Sequence, residues 1–322
     1  LVGAGGSIAA GTSAGDMTFA RLEAGRNIAL DSAGGINVDH AEAGGNFTAA
    51  AAGAFATGPN AIITGGDIVI NAGGPVTLGN SSAGGLVDVT GSQIDFATLV
   101  AGDTVTLLTE PSGQTAFGNG NVTGDSLTAG AGASSITSTF GSVTIAGDTT
   151  IGGGLSVVAD ADIALGAVNV LGGNLLANAG GDIAIGTGST IGDASLNAGQ
   201  SISLSGDLNA GGTLTLVAQT GAIAARDLIA GTGVSAISAA DMALRDVILS
   251  GGGASLVSGG DIAVRNVSGA DGAGVSVMAD GSVDFAGIDS AGEVSLLAET
   301  GEIVGGSIAS GAGVSVDGEA VT

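Results

Sequence analysis

One apolar residue, in most repeats preceded by a Gly and a small polar residue, returns along this chain every 19 to 21 residues. The series Val143, Ile163, Ile183, Ile202, Ile223, Met242, Ile262, Val283 and Ile303 keeps that spacing, and an earlier series runs Ile8, Ile28, Phe47, Ile68. Recurrence at a fixed period of this length constrains the fold more than any other feature, because each repeat is too small to bury a core alone.

Each repeat holds three short apolar pieces. The first alternates, as in Ile163-Ala164-Leu165, Ile262-Ala263-Val264 and Val283-Asp284-Phe285. The second is a single apolar position five or six residues on, at Val168, Leu208, Leu228, Val247, Val267, Ile288 and Ile308. The third precedes the next anchor, as Leu155/Val157, Leu214/Leu216, Val275/Val277 and Val294/Leu296. Alternation of period two means strand, with one face inward. Only Gly, Asn, Asp and Ser are left for corners. The runs Gly172-Gly173, Gly180-Gly181, Gly251-Gly252-Gly253 and Gly259-Gly260 fall there, where positive φ is expected.

The expected fold is therefore all-β: a right-handed parallel β-helix, or solenoid, of about 20 residues per coil with three short strands per coil. About 16 coils stacked at about 4.8 Å give a rod of roughly 75–80 Å. We expect one continuous solenoid over 1–322. An irregular stretch is expected at about 69–142, since Ile68 to Ile94 spans 26 residues and implies about six extra. Pro75, Pro111, Phe96, Phe117 and Phe140 all lie in that stretch. A subdomain junction there is the lesser alternative.

Composition excludes several classes. Of 322 residues 64 are Gly, Cys, Trp and Tyr are absent, and only 2% are aromatic, so the core must be narrow. Mean hydropathy is +0.56, which argues against disorder. The net charge is −25, with five Arg and no Lys, so phosphate backbones and anionic membranes are poor partners. That charge keeps an apolar-cored chain in solution. No apolar run reaches the 18 residues of a membrane helix.

Segments such as Ala179-Gly180-Gly181-Asp182-Ile183-Ala184-Ile185 and Ala210-Gly211-Gly212-Thr213-Leu214-Thr215-Leu216 resemble coils of filamentous-haemagglutinin-like exoproteins, the large adhesins of two-partner secretion in Gram-negative bacteria. The likeness covers nearly the whole chain. That family's amino-terminal secretion domain carries Asn-Pro-Asn motifs; Gly58-Pro59-Asn60 departs at the first position, so that domain is not assigned. The resemblance implies the shaft of an extracellular or cell-surface fibre that presents a binding or effector region and takes part in adhesion or biofilm contacts. Its expected partners are further β-helix coils at both ends, in the same chain or in neighbouring subunits, and host or bacterial surface glycans or proteins. Two alternatives stand beside it: a β-helical protein that binds or degrades polysaccharide, and a self-assembling extracellular filament or surface-layer subunit. Both ends of the sequence fall inside the repeat pattern, so a fragment of a longer chain or fibre is expected.

Three residue groups carry candidate chemistry. Asp67, Asp162, Asp182, Asp241 and Asp261 share the position before the anchor. Stacked as Asp162/Asp182 and Asp241/Asp261, they are Ca²⁺ candidates. The competing reading makes them corner residues, because Asn27, Asn46, Ser142 and Ser201 occupy the same position. Arg226, Arg245 and Arg265 follow successive anchors by three residues and should form a surface ladder, either a patch for an anionic sugar or an ion-pair seam with Asp227, Asp246 and Asn266. His40, the one His, sits in Asp39-His40-Ala41-Glu42. Without Cys, Lys or Tyr, no nucleophile and base can be assembled. Asp95, Asp103, Glu110 and Asp125 offer no ordered pair for glycoside chemistry, so no enzyme activity and no cofactor beyond the Ca²⁺ candidates is expected.

Overall fold

The structure is a computed structural model and describes residues 2–59, 62–110, 120–270 and 272–322. The chain divides into two compact units, 1–166 and 167–322. Each is a right-handed parallel β-solenoid, with about 15 turns of about 20 residues in the two together. Among the described residues there is no helix.

In the first unit every coil contributes a five-residue strand to one sheet, beginning Ile8–Thr12, Ile28–Ser32, Phe47–Ala51 and Ile68–Ala72. These pair in parallel with like over like, Ile8 beside Ile28, Ile28 beside Phe47 and Phe47 beside Ile68. The burial alternates strictly, so Ile28, Leu30 and Ser32 point inward while Ala29 and Asp31 face out. A second sheet takes two three-residue strands per coil, such as Leu22–Ala24 and Ile36–Val38. From Ile94–Ala101 onward these merge into one eight-residue strand with a bend in its middle. At the bend two successive residues escape burial, which resets the alternation so that both halves still aim side chains inward.

The second unit repeats this plan. Its bent strands include Ile183–Thr190, Ile223–Ala230, Met242–Leu249, Ile262–Gly269 and Val283–Ser290. Val168, Leu208, Leu228, Val247, Val267 and Ile288 are buried there, as the single-residue apolar position requires. The three apolar pieces of each repeat are all present; two of them share one strand in most coils of this unit.

The register corrects the expectation of extra residues between Ile68 and Ile94. Those residues belong to different sheets. Ile68 pairs with Val87, and Ile94 pairs with Val76. The early anchor series therefore lies on the five-residue strands and the later series on the bent strands. The largest excess among the described residues lies in one coil, where Thr106 pairs with Ser135, 29 residues on, whereas Val87 and Val105 are 18 apart; a bulge between Gly124 and Leu127 shifts the register with the next coil by one more residue. Pro75 sits in a regular corner, its carbonyl accepting the Phe55 amide at 2.9 Å. Pro111 and Phe117 lie outside the described residues. The division between units at 166/167 also lies outside 69–142.

Two of the large side chains enter this narrow core where the next coil makes room. The Phe96 ring lies over Gly124 and the Phe285 ring over Gly305, in each case its partner in register. Phe47 and Phe55 meet edge to face with centroids 6.1 Å apart. Inward hydroxyls close the corners: Ser32 donates to the Gly15 carbonyl at 3.0 Å, and Ser138 and Thr109 both donate to Gly120. Thr149 is fully buried and its hydroxyl has no partner. Thr149→Val keeps the shape and removes the unsatisfied group, so the variant is expected to gain about 1 kcal/mol. A thermal melt showing a lower midpoint for Thr149→Val would refute that account.

The corner glycines also correct an expectation. Among the described residues positive φ occurs at Gly15, Gly120, Gly252 and Gly272, so of the four named runs only Gly252 adopts it. The other corners need Gly for a different reason. A Cβ on Gly44 would lie 2.4 Å from the Gly25 carbonyl oxygen, and one on Gly65 would lie 2.5 Å from that of Gly44. Stacked corners bring backbone onto backbone, and any side chain pointing along the axis would strike the coil before it.

Candidate functional site

The residues with chemical potential sit at corners and bends, where alternation puts side chains outward. At many corners the residue before a five-residue or bent strand is an acceptor that serves the next coil. Asn27 Oδ1 accepts the Asn46 amide at 2.9 Å, Asn46 Oδ1 the Asp67 amide at 3.0 Å, and Asp67 Oδ1 the Leu86 amide at 3.0 Å. In the second unit Asp182 accepts from Ser201 at 2.8 Å, Asp241 from Asp261 at 3.0 Å, and Asp261 from Ser282 at 2.7 Å. Ser142 does the same for Asp162 at 3.2 Å through its hydroxyl. A carboxylate, an amide and a hydroxyl are interchangeable in this role because all three accept a hydrogen bond, whereas a Ca²⁺ site needs charge and several oxygens. The corner reading accounts for the shared position of these Asp residues. Among the described residues no group of three or more His, Cys, Asp or Glu is placed to hold a metal ion.

The Arg ladder forms at the bend of three successive coils in the second unit. Asp227 pairs in register with Asp246, and Asp246 with Asn266. Arg245 and Arg265 each reach back diagonally to the Asp of the preceding coil. Arg245 Nε donates to Asp227 Oδ1 at 2.6 Å while its Nη2 meets Asp227 Oδ2, giving a bidentate pair. Arg245 also lies 3.4 Å from Asp246 and 3.8 Å from Asp207. Arg265 engages both oxygens of Asp246, which also accepts Asn266 Nδ2 at 2.7 Å. No ion pair involves Arg226 among the described residues.

These contacts set the protonation of the seam. The hydrogen bond from Arg265 is the main reason Asp246 is held below the usual carboxylate range, with Asn266 and Coulombic attraction to both Arg adding and burial opposing. Hydrogen bonding to Asp227 raises Arg245 further above its already high value. A depressed folded-state pKa contributes stability above the unfolded carboxylate value, about 3.9, and loses it as pH falls through the lower folded value. The stability difference between wild type and Asp246→Asn should therefore be constant from pH 5 to 8 and shrink below about pH 4. Melting midpoints of both proteins across that range check this; a difference that grows toward acid would contradict the pairing.

Beside the seam runs a shallow groove of about 460 Å³ floored by Ala225, Ala243 and Ala263 and walled by Arg245 and Arg265. Its cations are committed to carboxylates, so the local field is not that of an anion site. Asp207, which completes the carboxylate column, was not singled out from sequence. The signal was available, because Asp207 stands one period before Asp227.

The remaining candidates do not converge. His40 is half-buried at a corner, and its carbonyl accepts the Leu22 amide at 2.9 Å. Glu42 faces outward beside Glu23, which pairs with Arg21. Asp103 and Glu110 flank opposite ends of the strand Val105–Thr109. Asp95 accepts Gln93 Nε2 at 2.7 Å and has only Asp125 as a diagonal neighbour among the four acids considered for glycoside chemistry, since Asp95 pairs with Thr123. No helix among the described residues is long and apolar enough to cross a membrane. Comparison with family models, with curated proteins and with solved structures finds no match to this chain.

Proposed function

We propose that this chain is a structural segment, the shaft of a secreted or cell-surface fibrous adhesin that holds a binding or effector region away from the cell. The observation that carries the reading is where the residues have been spent. Inward positions hold a mostly aliphatic ladder closed by Ser and Thr hydroxyls, many corners hold acceptors that tie one coil to the next, and outward chemistry among the described residues is dispersed without a convergent set. Such a chain does mechanical work and needs no cofactor. The strong acidity serves solubility outside a folded cell interior as well as inside it, so the extracellular assignment rests on the resemblance of the coils to filamentous-haemagglutinin-like exoproteins. A polysaccharide-binding role is the second reading, favoured by the open groove along Arg245 and Arg265.

Antibodies against the chain should label intact producing cells, and protease treatment of those cells should remove the label. Loss of the chain should lower attachment of the cells to coated surfaces. Label found only after lysis would overturn the shaft reading, and binding in a glycan screen lost in Arg245→Ala with attachment unchanged would replace it with the second.

A shaft tolerates changes of length in whole coils. Val234 pairs with Ala254, so removing 234–253 joins Gly233 to the residue that replaces Val234 in register. The shortened protein is expected to keep its β-rich circular dichroism and melt within about 4 °C of the parent. A collapse of the melting transition would show that this coil has a role beyond its place in the stack.

A further inference from the structure

Five successive strands of one sheet in the second unit expose an uncharged face patterned in two columns. On Thr213–Ala218, Gly233–Ser238, Ala254–Ser258, Val275–Ala279 and Val294–Ala298 the outward positions form two columns. One column is aliphatic: Val217, Ile237, Val257, Met278 and Leu297, each paired in register with the next. The other is hydroxylic: Thr215, Ser235, Ser255, Ser276 and Ser295. None of these five strands carries a charged residue, in a chain whose net charge is −25. Ile237 is 44% exposed and Met278 38%. The columns end at Asn197 on one side and Asp317 on the other.

We infer that this face is an interaction surface for a second copy of the same chain, joined face to face about a two-fold axis near Val257. Three features select that occupant. A partner must be approachable, and a copy carrying −25 is repelled everywhere except where neither surface is charged. The side chains repeat along the axis at the spacing of stacked strands, about 4.8 Å, so ridges of one copy match grooves of another over all five coils. The charge at the corners sets the direction: Asp280, Glu293 and Glu299 flank the Leu297 end, while Thr213, Gln219 and Thr220 flank the Val217 end. Antiparallel packing places acidic corners of one copy against neutral corners of the other; parallel packing would stack acid on acid. At strand spacing the two columns cover roughly 400 Å² per copy, comparable to the largest apolar patch of an ordinary monomer, and twice that is below the roughly 1,200–2,000 Å² total of stable complexes. Association is therefore weak for a single pair, and adds up where many copies lie side by side.

The test is sedimentation of the full chain over about 10–500 µM, with the absence of Cys exploited for a second readout. Wild type should show reversible dimerisation that strengthens with added salt, as screening removes the like-charge repulsion. Ile237→Glu/Met278→Glu should remain monomeric over the same range with an unchanged melt, and Ile248→Glu, altering an exposed apolar residue on the other sheet, should dimerise like wild type. Under mild oxidation Val257→Cys should form a disulfide dimer and Ile248→Cys should not. A wild type that stays monomeric, association that survives the double substitution, or equal cross-linking at both Cys positions would each overturn the inference.

Discussion

Ile183→Asp is expected to destabilise the second unit by about 4 kcal/mol or more, and Ala184→Asp by no more than about 0.5 kcal/mol. The two positions are adjacent in sequence, but Ile183 is fully buried beside Ile202 while Ala184 faces solvent. A carboxylate at 183 would sit among aliphatic side chains from two coils with no hydrogen-bond donor to meet it. It would either fold neutral, at the cost of its high protonation energy at pH 7, or drag water into the core. The pair Ile262 and Ala263 offers the same contrast and should give the same outcome. Urea denaturation of the four variants at pH 7 measures it. Equal losses at 183 and 184 would mean the register is slipped by one residue, because a slip exchanges every inward and outward side chain.

The double variant Gly65→Ala/Gly84→Ala is expected to cost about 1–3 kcal/mol per site, although Ala is ordinarily the better residue at negative φ. The Cβ added at Gly65 would approach the Gly44 carbonyl oxygen to 2.5 Å, and that at Gly84 would approach Gly65 to 2.3 Å. The obstacle is backbone, so no rotamer change relieves it; the coils must separate and lengthen the corner bonds, such as Gly65 N to Ala43 O at 2.9 Å. Gly313→Ala is the control, since a Cβ there meets nothing within 4 Å and its φ is not positive. It should leave stability unchanged or raise it slightly through the unfolded chain. Thermal melts of the two variants decide between steric stacking and conformational freedom as the reason for the Gly content.

Much of the architecture was legible from residues alone. The period near 20 dictates a solenoid because a coil without helices buries its apolar face only against its neighbours, and alternation within Ile262-Ala263-Val264 dictates which side chains turn inward. The seam at Arg245 and Arg265 was legible as well, since equal spacing from successive anchors puts the side chains in one column. What a repeat does not encode locally is which of its strands stacks on which. Ile8 and Ile183 follow the same Gly-polar-apolar pattern, yet one begins a five-residue strand and the other a bent strand, and only parallel pairing separates them. That ambiguity produced an apparent insertion after Ile68, where the true excess lies between Thr106 and Ser135. What the corner Asp side chains bond to was likewise visible only in the stack, where an amide of the next coil points at Oδ1 of Asp67, Asp182, Asp241 and Asp261. The outward column from Val217 to Leu297 was invisible for the same reason: its members are single residues about 20 apart, each ordinary in its own strand, and only stacking at the spacing of hydrogen-bonded strands makes them one surface.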